Sequence, residues 1–111
     1  MKVCILHKIP GPAEEMIRNA GHEVVTDPVG AEGILSLLTD KITAEVMDAA
    51  GPQLKIIANY AVGFDNIDTQ EAKKRNIYVT NTPDVLTEAV AEHAVALIFA
   101  VARRIVEADK F

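Results

Sequence analysis

The residues best suited to bind a ligand lie between Asn59 and Asp68, directly after an apolar run. In this segment Val62 and Gly63 offer two successive backbone N–H groups, and a glycine lets a ligand approach the backbone closely. Adjacent N–H groups can form a small concavity that binds an anion. We therefore predict an anion site at Val62 and Gly63, although Gly63 could instead only supply a positive φ to a tight turn.

Three histidines and one cysteine are the other residues with side chains suited to metal binding or acid–base chemistry. His7, His22 and His93 have no second ligand at the spacing of a metal site, so we predict no metal and assign no catalytic residue. Cys4 lies in an apolar run with no basic neighbour, which is typical of a buried thiol that behaves as a small hydrophobe.

Length and charge limit the possible functions. The 111 residues are half hydrophobic, which predicts one domain, 1–111, with an ordinary core. A net charge of -5 argues against nucleic acid and anionic membranes as partners. The longest apolar run, Ala94–Ala102, is far shorter than the roughly 20 residues of a membrane-spanning helix. The N-terminus has no apolar run as long as that of a secretory signal, so we expect a cytoplasmic protein.

Short apolar runs alternate with helical patterns along the chain. The predicted strands are Val3–Leu6, His22–Thr26, Gly33–Leu38, Lys55–Asn59 and Ile77–Thr80. The predicted helices are Ala13–Ala20, a helix capped by Thr43 and ending at Ala50, Thr69–Arg75, and a long helix at about Thr87–Lys110. Asp68 and Glu71 resemble a capping box at the start of the third of these helices. This alternation indicates an α/β fold with a doubly wound parallel sheet, for which we predict the flavodoxin-like order 2-1-3-4-5.

Two connections call for separate predictions. Only six residues, Asp27–Glu32, separate strands 2 and 3, so the helix normally found there must be missing and part of one sheet face should lie uncovered. A trimmed chain, an absent segment or a partner chain would each account for this. The long helix is apolar around most of its middle, and we expect it to pack on more than one side, with Thr87 as its N-cap.

Several strings at the carboxyl ends of successive strands resemble one enzyme family. They are Leu37-Leu38-Thr39-Asp40, Asn59-Tyr60-Ala61-Val62-Gly63-Phe64-Asp65-Asn66-Ile67-Asp68, Tyr78-Val79-Thr80-Asn81-Thr82-Pro83-Asp84-Val85-Leu86-Thr87, Val90-Ala91-Glu92-His93-Ala94 and Arg103-Arg104. Together they resemble the amino-terminal, substrate-binding domain of D-isomer-specific 2-hydroxyacid dehydrogenases, closest to glyoxylate and hydroxypyruvate reductases. The resemblance covers nearly the whole chain, and only the short Asp27–Glu32 link departs from it.

The resemblance implies specific roles for the candidate residues. Val62 and Gly63 would bind the carboxylate of a small 2-oxo acid, and Leu37 and Leu38 would line the substrate pocket. Alternation along a strand allows only one of the two leucines to face the crevice, and both could instead be core residues. Thr87 would contact the nicotinamide cofactor across the cleft between two domains.

The same resemblance implies that this chain alone is inactive. The full-length family uses NAD(P), yet no Gly-x-Gly-x-x-Gly turn follows any strand here, so we expect the chain itself to bind no cofactor. In the family the nucleotide-binding turn, the substrate-binding arginine and the catalytic acid–base pair belong to a second domain, toward which the long helix leads. Binding of a 2-oxo acid should therefore be weak. The alternative is an assembly module without a ligand, which forms a homodimer through its open sheet face and long helix.

Overall fold

The structure is a computed structural model that describes all 111 residues, and its centre is one sheet of five parallel strands. The strands are β1 (Lys2–Ile5), β2 (Glu23–Val25), β3 (Gly33–Leu37), β4 (Ile56–Tyr60) and β5 (Tyr78–Thr80). The helices are α1 (Ala13–Asn19), α2 (Ala44–Ala50), α3 (Thr69–Lys74), α4 (Thr87–Ala102) and α5 (Ile105–Ala108). The sheet order is β2-β1-β3-β4-β5, which confirms the predicted fold class and order.

The core lies between the sheet and the helices α2 and α3. Cys4 pairs with Ile34 and Ile34 with Ile57 in the strand register, and all three side chains are buried on this face. Met47 of α2 and Ala72 of α3 pack into the same cluster. Burial, followed by the nearby carboxylates of Asp27 and Asp40, raises the pKa of the Cys4 thiol, which agrees with the prediction of an inert, buried cysteine.

The link between β2 and β3 contains no helix, as predicted, and is instead a tightly bonded turn. The Asp27 carboxylate accepts a 2.9 Å hydrogen bond from the N–H of Val29, and Gly30 adopts a φ of 76° that favours glycine. Ala31 is completely buried, and the N–H of Glu32 donates to the carbonyl of Lys2 over 2.8 Å. The short link is therefore bonded to β1 and to the end of α2, and it contributes Ala31 to the core.

The uncovered sheet face is the one opposite α2 and α3. The steps from β2 to β3, β3 to β4 and β4 to β5 all cross the sheet in one direction, so right-handed connections would place their helices on a single face. The other face has α1 beside β2, while Tyr60 is 51% and Tyr78 is 76% exposed. This face is open because α4 does not fold back onto it, rather than because the link is short.

The predicted helix from Thr87 to Lys110 is interrupted, and it does not pack against the rest of this chain. The helix α4 ends at Ala102, because Arg104 adopts a left-handed φ of 51° and an ion pair between Arg104 and Glu107 forms within the next turn, α5. Moreover, α4 has no buried residue. The chain consequently has a radius of gyration of 18.9 Å, whereas a compact domain of this length would have about 13 Å. None of the helices is both long and apolar enough to cross a membrane.

The predicted helix caps have different outcomes. Thr87 is the first helical residue of α4 and not its N-cap, a position that Leu86 occupies without any side-chain hydrogen bond. A hydroxyl inside the first turn is not placed like a true cap, so this prediction was wrong. Thr43 does precede α2, yet no capping bond from its side chain is present. Asp68 caps α3 by accepting a 2.9 Å bond from the N–H of Glu71.

Candidate functional site

A loop at the carboxyl edge of the sheet, residues 61–66, is fixed from below by Asn59. This asparagine lies in β4, is buried, and accepts a 2.9 Å hydrogen bond from the hydroxyl of Ser36 in the neighbouring strand. Its amide nitrogen donates to the carbonyl of Gly63 over 2.9 Å and lies 3.0 Å from the side-chain oxygen of Asn66. The position of the loop is therefore set by two buried strands and not by the loop alone.

Two further asparagines, Asn66 within the loop and Asn81 beside it, connect the loop to neighbouring strand ends. The amide nitrogen of Asn66 donates to the carbonyls of Leu37 (3.1 Å) and Asp40 (2.9 Å), in the turn that follows β3. The amide nitrogen of Asn81, just after β5, donates to the carbonyl of Val62 over 2.8 Å. The loop is thus tied to the ends of β3 and β5 as well as to β4.

These bonds use the carbonyl groups of the loop, and no backbone N–H group of residues 61–66 donates a hydrogen bond within the protein. Neither the N–H of Val62 nor that of Gly63 donates a hydrogen bond to another atom of the protein, and Gly63 is exposed. Gly63 does not adopt a positive φ, so backbone conformation does not require glycine here. A methyl group at this position would lie 3.9 Å from Cδ1 of Leu38, so what glycine contributes is open space above the backbone.

The two leucines predicted to line a pocket are in different surroundings. Leu38 is 56% exposed and its side chain is the nearest neighbour of the space above Gly63. Leu37 is half-buried and pairs with Tyr60 in the strand register. The backbone of Leu37 contacts the loop, since its carbonyl accepts a hydrogen bond from the Asn66 side chain. Only Leu38 therefore brings a side chain to the rim of the loop.

An apolar cavity of about 370 Å³ opens beside Val62, between the loop and the segment that leads into α4. Its lining residues are Tyr60, Ala61, Val62, Thr82, Val85 and Leu86. Thr87 follows this lining directly and is exposed. The described geometry thus brings Thr87 near the cavity and Leu38 near the free N–H groups.

A histidine–aspartate pair lies at the same edge of the sheet. His7 follows β1, and its Nδ1 lies 2.5 Å from Oδ1 of Asp40, whose side chain is only 4% exposed. The other carboxylate oxygen of Asp40 accepts a 2.8 Å bond from the N–H of Leu37. The buried carboxylate is therefore satisfied by one backbone group and one imidazole.

Reasoning from the sequence missed these supporting residues. Asn59, Asn66, Asn81, His7 and Asp40 share one signal, since each is a polar residue at or just beyond the carboxyl end of a predicted strand or in the loop that follows it. Ligands of open α/β sheets bind at that edge, so these polar residues could have been predicted to belong to the site. The spacing of these residues along the sequence does not indicate which hydrogen-bond partner each side chain has in the fold.

The chain resembles known dehydrogenases over most of its length. A family model described as D-isomer specific 2-hydroxyacid dehydrogenase, catalytic domain, matches residues 8–108. Glyoxylate reductase from Thermofilum pendens is 59% identical over 101 residues, which cover 91% of this chain and 27% of that protein. Glyoxylate reductase from Thermococcus onnurineus is 47% identical over 123 residues, covering 99% and 36% respectively. The crystal structure of the TT0316 protein from Thermus thermophilus shares 41% identity and a TM-score of 0.87, covering 100% of this chain and 40% of that one.

The chain thus spans between about a quarter and two fifths of the length of these proteins, from 27% to 40%. The alignment with the Thermococcus onnurineus reductase is 123 residues long, 12 more than the 111 residues of this chain. That reductase therefore has at least 12 residues without a counterpart here.

Proposed function

Because the chain belongs to the D-isomer specific 2-hydroxyacid dehydrogenase family, we propose that it is the substrate-binding domain of an oxidoreductase that reduces small 2-oxo acids. Members of this family are NAD-dependent dehydrogenases. The proposed substrates are glyoxylate or hydroxypyruvate, which the full-length protein would reduce to D-2-hydroxy acids with NAD(P) in the cytoplasm.

The observation that carries this proposal is the pair of free N–H groups at Val62 and Gly63. They belong to a loop held rigidly through its carbonyls, and the space above Gly63 is open except for Leu38. A carboxylate would accept hydrogen bonds from both N–H groups, while Leu38 would contact a small apolar part of the acid. Two neutral donors must compete with water, so we expect a dissociation constant on the order of millimolar or weaker.

The residues present do not by themselves fit a nicotinamide cofactor. Thr87 is exposed and could contact one, but the sequence has no glycine-rich turn that would hold its phosphates. Among the contacts of the loop, no side chain is placed to donate a proton to a substrate carbonyl at Val62 and Gly63. We accordingly assign to this chain the binding and orientation of the acid, and not its reduction.

A titration of the isotope-labelled chain with glyoxylate, followed by NMR, tests this proposal. The N–H resonances of Val62 and Gly63 should move progressively, whereas those of α1, which lies away from the loop, should not. Acetate, which has the carboxylate without the 2-oxo group, provides the comparison for simple anion binding. If glyoxylate left residues 61–66 unmoved, the proposed site would be rejected.

A second candidate function is self-association, favoured by the exposure of α4. The chain exposes 7949 Å², whereas a compact monomer of 12.0 kDa would expose about 6,000 Å². Covering an excess of about 2,000 Å² on each of two copies would correspond to an obligate homodimer interface. The helix α4 and the open sheet face belong to the same chain, so reciprocal packing of α4 on a second copy would cover both surfaces.

Self-association and substrate binding can coexist, because the free N–H groups lie in the loop after β4 and not on α4. Sedimentation velocity over a hundredfold range of concentration would show a dimer if the occupant of the open face is a second copy. A monomer throughout this range would exclude it.

A further inference from the structure

We propose that a cavity between α2 and α3, at the amino end of the sheet, binds a free α-amino acid with an aliphatic side chain. The cavity has a volume of about 370 Å³, at the low end of the roughly 300–1,000 Å³ that is typical of small-molecule sites. Its lining comes from the last turn of α2, the segment that leads into β4, and the turn between α3 and β5. This site is separate from the proposed substrate loop and does not depend on it.

The floor of the cavity is apolar. Met47 of α2, Leu54 before β4 and Ile77 before β5 line it, and all three belong to the hydrophobic core. Each is at most 8% exposed, so the floor is the outer surface of the core itself. An aliphatic ligand group placed here would leave water and extend the core across three elements of the fold.

The rim of the cavity carries a positive and a negative group side by side. Arg75, the C-cap residue of α3, forms an ion pair with Asp48 of α2, and both residues line the cavity. The other terminal nitrogen of Arg75 lies 3.4 Å from a carboxylate oxygen of Glu71. A guanidinium has five N–H groups, and these two contacts leave the rest without a partner in the chain. The second carboxylate oxygen of Asp48 also has no partner.

The charges around the rim favour a ligand that is neutral as a whole. Glu71 also pairs with Lys74, so Asp48, Arg75, Glu71 and Lys74 form a chain of ion pairs with two charges of each sign. A simple carboxylate or a simple amine would add an unbalanced charge to this chain. A zwitterion would instead place its carboxylate on the free N–H groups of Arg75 and its ammonium on the free oxygen of Asp48. An α-amino acid carries these two groups on one carbon, and their closeness matches the direct contact between Arg75 and Asp48.

The cavity and the substrate loop lie at opposite ends of the same strand. Leu54 precedes β4 and the loop 61–66 follows it, so the five residues of β4 separate the two by about 16 Å. A ligand that binds only the folded chain stabilises it. Occupancy of the cavity should therefore raise the unfolding temperature without altering the response of the loop to glyoxylate.

The test uses the 111-residue chain and L-leucine as the probe, with three analogues that each lack one part of it. Glycine lacks the aliphatic chain, 4-methylpentanoate lacks the ammonium group, and 3-methylbutylamine lacks the carboxylate. L-Leucine should move the methyl resonances of Met47, Leu54 and Ile77 in NMR spectra, with a dissociation constant on the order of millimolar. Each analogue should bind about threefold to tenfold more weakly. The N–H resonances of residues 61–66 should not move.

Two substitutions should change the ligand preference in opposite directions. Arg75→Gln removes the partner of the carboxylate, so L-leucine should lose its advantage over 3-methylbutylamine and keep its advantage over 4-methylpentanoate. Asp48→Asn removes the partner of the ammonium group and should do the reverse. Arg18→Gln, at an arginine of α1 that also pairs with a carboxylate, is the matched control and should leave every preference unchanged. An ion pair that served the fold alone would not produce this reversal.

The outcomes of these experiments concern the cavity alone. If L-leucine leaves the three methyl groups unmoved, if the analogues bind as well as L-leucine, or if both variants keep the wild-type preferences, the site is rejected. None of these results affects the substrate loop, whose response to glyoxylate is measured at other residues. The comparison of the four ligands needs only the wild-type chain, so it decides the matter even if a variant does not fold.

Discussion

The side-chain amide of Asn59 donates a 2.9 Å hydrogen bond to the backbone carbonyl of Gly63, four residues further along the chain. The same side chain accepts from the hydroxyl of Ser36 in β3, so a residue inside the sheet fixes the loop above it. Because the carbonyl of Gly63 points toward the sheet, its neighbouring N–H groups are free to meet a ligand. Asn59 is thus a positioning residue for the proposed site.

We expect Asn59→Leu to lower the free energy of unfolding by about 1–3 kcal/mol, because the buried Ser36 hydroxyl and Asn66 amide lose a partner. The loop should also open more often, so hydrogen exchange at residues 62–66 should accelerate more than in the rest of the chain. Urea unfolding and amide exchange measure the two effects. Asn19→Leu, at an exposed position at the end of α1, should show neither. An unchanged exchange rate in the loop would contradict the positioning role.

Gly63→Ala should weaken ligand binding without lowering the stability of the fold. Its φ is not left-handed and the added methyl meets only Leu38 at 3.9 Å, so the free energy of unfolding should stay the same or rise by up to about 1 kcal/mol. The methyl would nevertheless occupy the space above the free N–H groups, and the response of Val62 to glyoxylate should be strongly reduced. Thermal unfolding and the same NMR titration provide the measurements.

Gly51→Ala is the matched comparison for this glycine. Gly51 has a φ of 101°, and an added methyl would lie 2.9 Å from the Gln53 side chain. With a ψ of 179°, this φ lies in a region that is essentially restricted to glycine and costs another residue about 1–3 kcal/mol, so this variant should be destabilised while its glyoxylate response stays intact. The opposite pattern, a destabilised Gly63 variant that binds normally, would disprove the proposed use of Gly63.

The architecture could be predicted from the sequence because its causes are local. The apolar runs at residues such as Ile34 and Ile57 are nearly continuous, as is typical of parallel strands, and each strand end lay within one residue of the prediction. Asp68 could be predicted as a cap since its partner is only three residues away. In these cases the sequence pattern and the interaction that stabilises the element lie within the same few residues.

The supporting bonds of the site could not be predicted because their causes are distant. Asn66 chooses carbonyls at Leu37 and Asp40, 29 and 26 residues away, and His7 meets Asp40 only after β1 and β3 pair. The left-handed turn at Arg104 likewise interrupts a pattern that is helical by composition. Apolar character alone also does not decide whether α4 packs within its own chain.

The pH dependence of stability should depend in part on Glu32. The backbone N–H of Lys2 and then the Lys55 ammonium hold the pKa of Glu32 below its ordinary value. A carboxyl group whose pKa is lower in the folded chain binds fewer protons there than in the unfolded chain, so its stabilisation is present above about pH 4.3 and is lost as the pH falls through the folded pKa.

Glu32→Gln should therefore unfold at a temperature that varies less between pH 3 and pH 6 than that of the wild type, as circular dichroism would show. A residual slope should remain, because Lys74 and Arg75 also lower the pKa of Glu71. Glu23→Gln, whose side chain forms no ion pair, should keep the wild-type slope. If the unfolding temperature of the Glu32 variant depended on pH as strongly as that of the wild type, Glu32 would not contribute to the pH dependence of stability.

The start of α4 should tolerate the loss of the Thr87 hydroxyl. Since Thr87 lies inside the first turn and forms no capping bond, Thr87→Val should change the free energy of unfolding by less than about 0.5 kcal/mol. Asp68→Ala, by contrast, removes an observed cap of α3 and should cost about 1 kcal/mol. Chemical denaturation of both variants makes the comparison, and a large loss from Thr87→Val would restore its hydroxyl as a cap.

The exposed helix leads to a prediction about assembly. Large apolar side chains along α4, including Leu97, Ile98 and Phe99, are each more than half exposed, which is costly for a chain that remains alone in water. If a second copy covers them, Phe99→Lys should shift sedimentation from dimer to monomer and lower the melting temperature at concentrations where the wild type is dimeric, because association stabilises the folded state. Val29→Lys replaces a similarly exposed side chain in the link beside α2, on the opposite face of the sheet, and should leave the dimer intact. A wild-type dimer that the Phe99 variant preserves would mean that the two copies meet elsewhere, and α4 would then require a different occupant.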